Sequence, residues 1–331
     1  MISFGPLDPD ADLPGLLRAS AAEFGAEGYQ QTRRYLDWLY RANPAGRGFG
    51  DGLVARRGGE IVGCVHRMIL PLAGPDGPQT LAVLHNHFVE ESARSGPGVL
   101  LLRRAVKDVA VGFSPGVQAP LDQVYRRLGF VEHPGSWLIR VLDPVGAALG
   151  YARARLGARG PLRLDARRIE RRFGSSATFV PSEAQIERLC NAMRAAAPPE
   201  AAAVAWTPAL VRWRFFDPLG PRHLLVSDPE SEALAVIAPG MRHSLRVARL
   251  VEAAGPVTPR FLAQVERAMR AAGAVLGLSF STDPFMVRSL QAGEWRVRGN
   301  ETFSFRTPGL PLKLTAAASD VGFEAIATEI R

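Results

Sequence analysis

The apolar and polar positions of this chain fall into two stretches that run through the same series of elements. Leu53-Val-Ala-Arg-Arg-Gly-Gly-Glu-Ile-Val-Gly-Cys-Val65 predicts two strands around an Arg-Gly-Gly turn, and a third strand follows from Leu81 to Val89. The later counterpart is Leu224-Leu-Val-Ser-Asp-Pro-Glu-Ser-Glu-Ala-Leu-Ala-Val-Ile237, with its turn at Asp228-Pro229, and then a strand from Leu245 to Val251. Helices are predicted next, near 98–109 and 258–272; in the second, Phe261, Leu262, Val265 and Met269 recur at helical spacing. Short apolar strands come after them, Val109 to Phe113 and Ala274 to Phe280. A last helix ends at Leu128-Gly129-Phe130 in one stretch and at Ala292-Gly293-Glu294-Trp295 in the other, with final strands near 136–142 and 300–306.

Each stretch also opens alike. Thr32-Arg-Arg-Tyr-Leu-Asp-Trp38-Leu-Tyr40-Arg-Ala-Asn43-Pro44-Ala-Gly46 and Thr207-Pro-Ala-Leu-Val-Arg-Trp213-Arg-Phe215-Phe-Asp217-Pro218-Leu-Gly220 are short helical patterns with a Trp and a second aromatic two residues on. Both stop at Asn-Pro or Asp-Pro, where helices commonly end. The common order is strand, helix, helix, three antiparallel strands, helix, strand, helix, strand. That order predicts a mixed α/β fold in two tandem copies, each a mostly antiparallel central sheet with helices on both faces. A period this long marks duplicated domains rather than solenoid units. The boundaries fall at 1–145 for the first domain, 146–175 for a linker and 176–331 for the second.

Composition agrees with a folded, two-domain protein of 331 residues: 47% hydrophobic and 22% charged, which excludes a disordered tail or a fibre. No apolar run approaches the length of a membrane span, and Met1-Ile2-Ser3-Phe4-Gly5-Pro6 carries no secretory signal. Cys64 and Cys190 lie far apart, which fits a reducing cytoplasm better than a disulfide framework. The net charge of +8 is concentrated in residues 151–174, where eight arginines face only Asp165 and Glu170. The segment is either a solvated linker helix paired to acids on both domains or an anion-binding strip for phosphate, RNA or acidic lipid.

Chemistry gathers in the first copy. The strand ending at Val89 passes through Glu90-Glu91-Ser92-Ala93 into Arg94-Ser95-Gly96-Pro97-Gly98 and then a helix starting near Val99. Glycines let the backbone approach a ligand closely, and a helix beginning there aims unpaired N–H groups at it. From the residues alone, this turn is either a pyrophosphate cradle or a Gly-Pro-Gly loop capping a core helix. Histidines crowd into one hairpin, with Cys64 and His66 on one strand and His85 and His87 on the next. A spacing of two puts each pair on one face. Symmetric pairing about Gly74-Pro75-Asp76-Gly77 sets Cys64 opposite His87 and His66 opposite His85; a one-residue slip or bulge breaks this register. Three roles fit: a polar strip under an acceptor pocket, a general base with Glu90 as its alternative, or a Cys-His nucleophile or metal site. No further metal ligands lie nearby, so no metal is expected.

Trp38…Asn43-Pro44, the Gly59–Gly63 hairpin, the Val89…Gly98 turn and Tyr125-Arg-Arg-Leu128-Gly129-Phe130, in this order, resemble the GCN5-related N-acetyltransferase (GNAT) superfamily, specifically its tandem-domain members. The resemblance covers roughly residues 1–142 closely and the second copy in element order. It implies an acyl-CoA co-substrate, acetyl-CoA or a longer thioester. Phe88 and Val89 would offer backbone to its pantetheine, and Arg94, Ser95, Gly96, Pro97, Gly98 and Val99 would cradle its pyrophosphate. The family pattern has Arg or Gln where an ungapped reading places Ala93 and a one-residue deletion places Arg94, and Pro97 removes one N–H donor. The resemblance further implies that Tyr125 protonates the departing CoA thiolate and that His85, His87 or Glu90 serves as base. The second copy, with Pro256-Val-Thr-Pro259-Arg260 for the turn and no tyrosine in Phe285-Met-Val-Arg-Ser289-Leu290, would be catalytically silent. The expected acceptor is a small amine, amino sugar or amino acid. Rival expectations are an aminoacyl-tRNA-dependent transferase, favoured by the arginine-rich segment, and a non-catalytic binding or scaffold protein. Trp206, Trp213 and Trp295 are expected in the core or between the domains.

Overall fold

The computed structural model describes residues 1–24, 32–75, 77–93, 96–115, 122–155, 166–197, 202–242, 245–281 and 283–306. The first copy comprises β1 (Ile2–Pro6), α1 (Leu13–Phe24), α2 (Arg33–Leu36) continuing into a π-helical turn (Asp37–Arg41), β2 (Leu53–Arg57), β3 (Glu60–Ala73), β4 (Gln79–Val89), α3 (Pro97–Ala105), β5 (Val111–Pro115), α4 (Asp122–Arg127) and β6 (Val131–Val141). Helices α5 (Pro144–Arg155) and α6 (Ala166–Phe173) connect it to the second copy. There follow β7 (Ala177–Thr178), α7 (Glu183–Ala195), β8 (Ala203–Val204), α8 (Pro208–Val211) with a second π-helical turn (Arg212–Phe216), β9 (Leu224–Ser227), β10 (Leu234–Arg242), β11 (Leu245–Ala254), α9 (Pro259–Ala271), β12 (Leu276–Ser281), α10 (Pro284–Ala292) and β13 (Arg296–Arg306).

Local chemistry sets these boundaries. Thr32, Thr207 and Thr258 each accept a backbone N–H three residues on, from Tyr35, Leu210 and Phe261, and so cap α2, α8 and α9. Ser182 and Gln185 close a capping box on α7. Gly58 and Gly59 turn the first hairpin with φ of 60° and 89°. In the second copy the Asp228 carboxylate accepts from Glu230 N and Ser231 Oγ and stabilises the equivalent turn.

All these strands join one sheet, in the order β1-β2-β3-β4-β5-β13-β6-β12-β11-β10-β9-β7, with β8 beside β3. Two steps are parallel, β4 to β5 and β11 to β12; the other pairings are antiparallel. The order is symmetric about its centre, and the two copies exchange their last strands. The second copy's β13 pairs with β5, while the first copy's β6 pairs with β12. The sequence predicts a central sheet in each copy; the pairing of β6 with β13 fuses the two into one. The helix expected to reach 109 ends at Ala105, whose carbonyl accepts from Arg67 Nη1 at 3.4 Å.

One face of the sheet carries a single core across both copies, from Leu16, Tyr35, Trp38 and Val83 to Met193, Trp213, Phe215 and Phe280. The opposite face carries two separate cores. Leu101 and Leu102 of α3 and Tyr125 of α4 share one core with Leu84 of β4, and Phe261, Val265 and Met269 of α9 share the other with Leu250 of β11. Trp206, Trp213 and Trp295 are buried, as expected. Each fully buried large apolar side chain contributes about 1.5–3 kcal/mol, and the shared core joins the two copies.

Candidate active site

The site begins with a departure from regular pairing. β4 and β5 are paired only at Leu81–Val111, Ala82–Gly112 and Val83–Phe113. Beyond Val83, β4 runs on to Val89, and β5 runs on from Phe113 to Pro115. The described β4–β5 ladder therefore stops short of the ends of both strands.

β4 is also bulged. Its register with β3 runs unbroken from Leu72–Gln79 to His66–His85, then shifts so that Cys64 faces Phe88 and Gly63 faces Val89. Asn86, at φ 47°, takes up the extra residue; Asn tolerates this region better than most side chains. The bulge confirms the expected His66–His85 pair and corrects two expectations. Cys64 opposes Phe88 instead of His87, and His85 and His87 lie on opposite faces. His85 stacks on His66 with ring centroids 5.5 Å apart, and its Nδ1 lies 3.2 Å from the Tyr35 hydroxyl, in the shared core. His87 turns to the other face, against α3; a Cβ on Gly98 would sit 3.4 Å from His87 Nε2.

Burial sets the protonation of this cluster. His66 is pushed down to about 4 by burial, and its Nδ1 is 2.5 Å from the Tyr40 hydroxyl. Burial, then the His66 ring, then the Arg214 guanidinium hold His85 well below 6.5. Its Nε2 is buried without a hydrogen-bond partner among the described residues. His87 is pushed down to about 4, burial outweighing a backbone contact at Gly98. These imidazoles are neutral at physiological pH. Burial raises the Cys64 thiol strongly; its sulfur is 3.7 Å from His66 Nε2. A neutral thiol beside a neutral imidazole is a poor nucleophile. No group of three or more His, Cys, Asp or Glu side chains among the described residues is placed to hold a metal.

Past Val89 the chain turns. Glu90 N–H donates to Val62 O, and its carbonyl accepts from Ala93 N, closing one tight turn. Arg94 and Ser95 lie outside the described residues. Gly96, at φ 117°, precedes α3, whose first residue is Pro97. That φ favours glycine. Gly98 permits a close approach of a second kind, since a Cβ there would lie 3.2 Å from Val89 Cγ2. Phe88 is buried in the shared core, Val89 packs toward α3, and Val99 is exposed on the first turn of α3.

Tyr125 reaches the same region from α4. It is buried against Phe130, ring centroids 4.9 Å apart, and shares its core with Leu84 of β4. Ser114 Oγ on β5 donates to its hydroxyl at 3.3 Å. Burial pushes the phenol up to about 12, the Ser114 bond partly offsetting it. Tyr125 is thus protonated at physiological pH, and because its oxygen already accepts from Ser114, its own proton is available to another acceptor. Ser114, Tyr35, Tyr40 and Asn86 were not singled out from the sequence. Only Tyr40 left a signal, as the aromatic two residues after Trp38.

No family model matches the chain, and no curated protein matches it. Solved structures do. A GCN5-related N-acetyltransferase from Anabaena variabilis ATCC 29413 aligns with a TM-score of 0.56 at 9% identity, over 92% of this chain and 72% of that one. N-myristoyltransferase from Saccharomyces cerevisiae, with bound myristoyl-CoA, aligns with a TM-score of 0.58 at 11% identity, over 92% of this chain and 82% of that one. Eis1 from Mycobacterium abscessus aligns with a TM-score of 0.50 at 16% identity, over 93% of this chain and 73% of that one. At these identities the likeness is one of fold: the chain has the GNAT fold in two tandem copies.

Proposed function

We propose that this protein transfers an acyl group from an acyl-CoA directly to the amine or hydroxyl of a small acceptor. Residues 1–145 would carry the chemistry, 146–175 the connection and 176–331 a catalytically silent copy that shapes the acceptor side. The observation that carries this reading is the Tyr125–Ser114 pair beside the end of the β4–β5 ladder, past which β4 runs on toward the Gly96–Gly98 turn. Bound myristoyl-CoA in the yeast relative supports a thioester ligand for the fold.

In the proposed reaction the acceptor nitrogen attacks the thioester carbonyl, a C–N bond forms and the C–S bond breaks. Tyr125 gives its proton to the leaving CoA sulfur. His85, neutral and with Nε2 unpartnered, takes the proton shed by the amine; Glu90 and His87 are the alternatives closer to the turn. The raised Cys64 thiol favours direct transfer over an acyl-enzyme. Phe88 and Val89 would present backbone to the pantetheine arm. Residues 94–99 would hold the pyrophosphate.

The test is thermal stability with free CoA, acetyl-CoA and longer acyl-CoAs. A thioester at a hundred times its Kd adds about 2.7 kcal/mol of stability, a shift of several degrees. Replacing Gly96 and Gly98 with bulky residues should abolish that shift. No shift with any CoA would remove the enzymatic reading.

A further inference from the structure

Helix α5 lies where the two copies join and is built to face two ways. Gly146 and Gly150 seat it against the sheet: a Cβ on Gly146 would meet Val275 Cγ1 at 2.8 Å, and one on Gly150 would meet Leu245 Cδ2 at 2.6 Å. On the other side, Val145, Ala148, Leu149 and Ala152 recur at the spacing of a single helical stripe, and all four are exposed. Val145 is 70% and Leu149 58% exposed, and Val141 beside them at the end of β6 is 48% exposed. From Pro144 to Tyr151 the helix carries no charge, so both its faces are apolar, yet one of them lies in water. Such a face calls for a partner.

The charge next to it says which kind. Arg153 and Arg155 are exposed on the last turn, and Arg155 stacks on Tyr151, itself 55% exposed, with its guanidinium 5.1 Å from the ring centroid. Arg172 is exposed on α6, and residues 151–174 hold eight arginines in all. A second copy of this chain is disfavoured as the occupant, because a two-fold contact on α5 would bring two arginine-rich segments together. RNA matches the arginines but has no use for an exposed Val-Leu stripe. We propose that the exposed stripe of α5 and the arginines of its last turn, Arg153 and Arg155, form a docking surface for an anionic lipid bilayer. Val145 and Leu149 enter the acyl boundary, Tyr151 lies at headgroup level and the arginines contact acidic headgroups. Neither contribution alone holds a protein stably on a membrane; an apolar insertion joined to a basic patch does.

The test is co-sedimentation of the full-length protein with vesicles of phosphatidylcholine alone and with about a third phosphatidylserine. Binding is expected only to the acidic vesicles. The double substitution Val145→Glu with Leu149→Glu should weaken it at least tenfold. Arg153→Glu with Arg155→Glu should weaken it several-fold, both at an unchanged melting temperature, since all four side chains are exposed. Acidic-vesicle binding that ignores the Val145/Leu149 variant overturns the proposal. So does tRNA binding that is lost in the arginine variant, retained in the Val145/Leu149 variant and unaccompanied by vesicle binding. A dimer seen by sedimentation velocity and dissolved by the Val145/Leu149 variant, with no vesicle binding, would assign the face to self-association instead.

Discussion

Trp38 and Trp213 hold each other by the same bond made twice. The indole Nε1–H of Trp38 donates to the backbone carbonyl of Trp213 at 2.9 Å, and that of Trp213 donates to the carbonyl of Trp38 at 2.7 Å. Their rings stack 5.3 Å apart. The two residues are 175 positions apart, on the matching π-helical turns of the two copies. Reciprocal bonds between equivalent residues are what two-fold symmetry generates, here within one chain. The pair sits in the core that both copies share.

Removing either indole N–H therefore reaches both copies. Trp38→Phe or Trp213→Phe leaves a buried carbonyl without its donor, which costs about 1–3 kcal/mol. The double variant should cost less than the sum, because the two bonds belong to one contact. Urea unfolding followed by fluorescence and by circular dichroism would read both values. Strict additivity would show that the two bonds act independently.

The exchanged strands lead to a second expectation. Phe303 on β13 pairs with Pro115 of the first copy on one side and with His133 on the other. Thr302→Pro would remove an N–H from this strand and place a pyrrolidine ring in the seam between β5 and β6. Loss of several kcal/mol is expected, with both copies unfolding in a single transition. Two separated transitions in calorimetry would instead mean that each copy folds alone.

The repeat itself was legible because it is a local pattern: Thr-x5-Trp, a helix stop at Asx-Pro, a hairpin and two helix-strand units, each readable from a window of a dozen residues. The strand exchange was not. Val131–Val141 and Arg296–Arg306 have the composition their positions require in either arrangement, and which neighbour they pair with is decided by contacts far away in sequence. The histidine hairpin shows the same limit at smaller scale. His66 opposite His85 followed from counting around the turn, but the bulge at Asn86 reversed the face of His87. A period of two carries no mark of a single inserted residue. Tyr125 was found through resemblance; Ser114, its partner, has no signature, because a serine near the end of a short strand is commonplace.

Tyr125→Phe separates catalysis from folding. If the phenol protonates the leaving sulfur, kcat should fall about 10²–10⁴-fold while KM for the acyl-CoA stays near its original value. Stability should change little, since only the Ser114 bond is lost, worth about 1 kcal/mol. Steady-state kinetics beside a melting curve would distinguish this from a packing role, in which stability falls and kcat holds.

Gly98→Leu should act on the thioester before it acts on the fold. Its Cβ would press on Val89 and His87 where α3 approaches β4, which displaces the helix N-terminus from the turn. Acyl-CoA affinity, read by calorimetric titration, should drop at least tenfold. Gly48→Leu, with nothing within 4 Å of its Cβ but φ of 74°, is the control: it strains the backbone outside the turn and should leave affinity intact.

Acid should weaken the protein well before its carboxylates titrate. His66 and His87 are held near 4 and His223 near 3, each mainly by burial. In the unfolded chain all three take up protons near pH 6.5. Above that pH both states are neutral at these sites and stability is at its full value. Between about pH 6.5 and 4 the unfolded state binds protons that the folded state refuses, so stability falls as pH falls, by up to about 1.4 kcal/mol per pH unit for each histidine. Asp12 and Asp108, whose pKa values are lowered by their arginine partners, lose their contribution only below that window. His66→Gln keeps a hydrogen-bonding group for Tyr40 while removing one such site. Urea midpoints measured at half-unit steps from pH 7.5 to 4.5 should therefore decline less steeply in this variant than in the parent. Parallel curves would mean that His66 takes up its proton in the folded state, and that the polar strip along β3 and β4 is open to water.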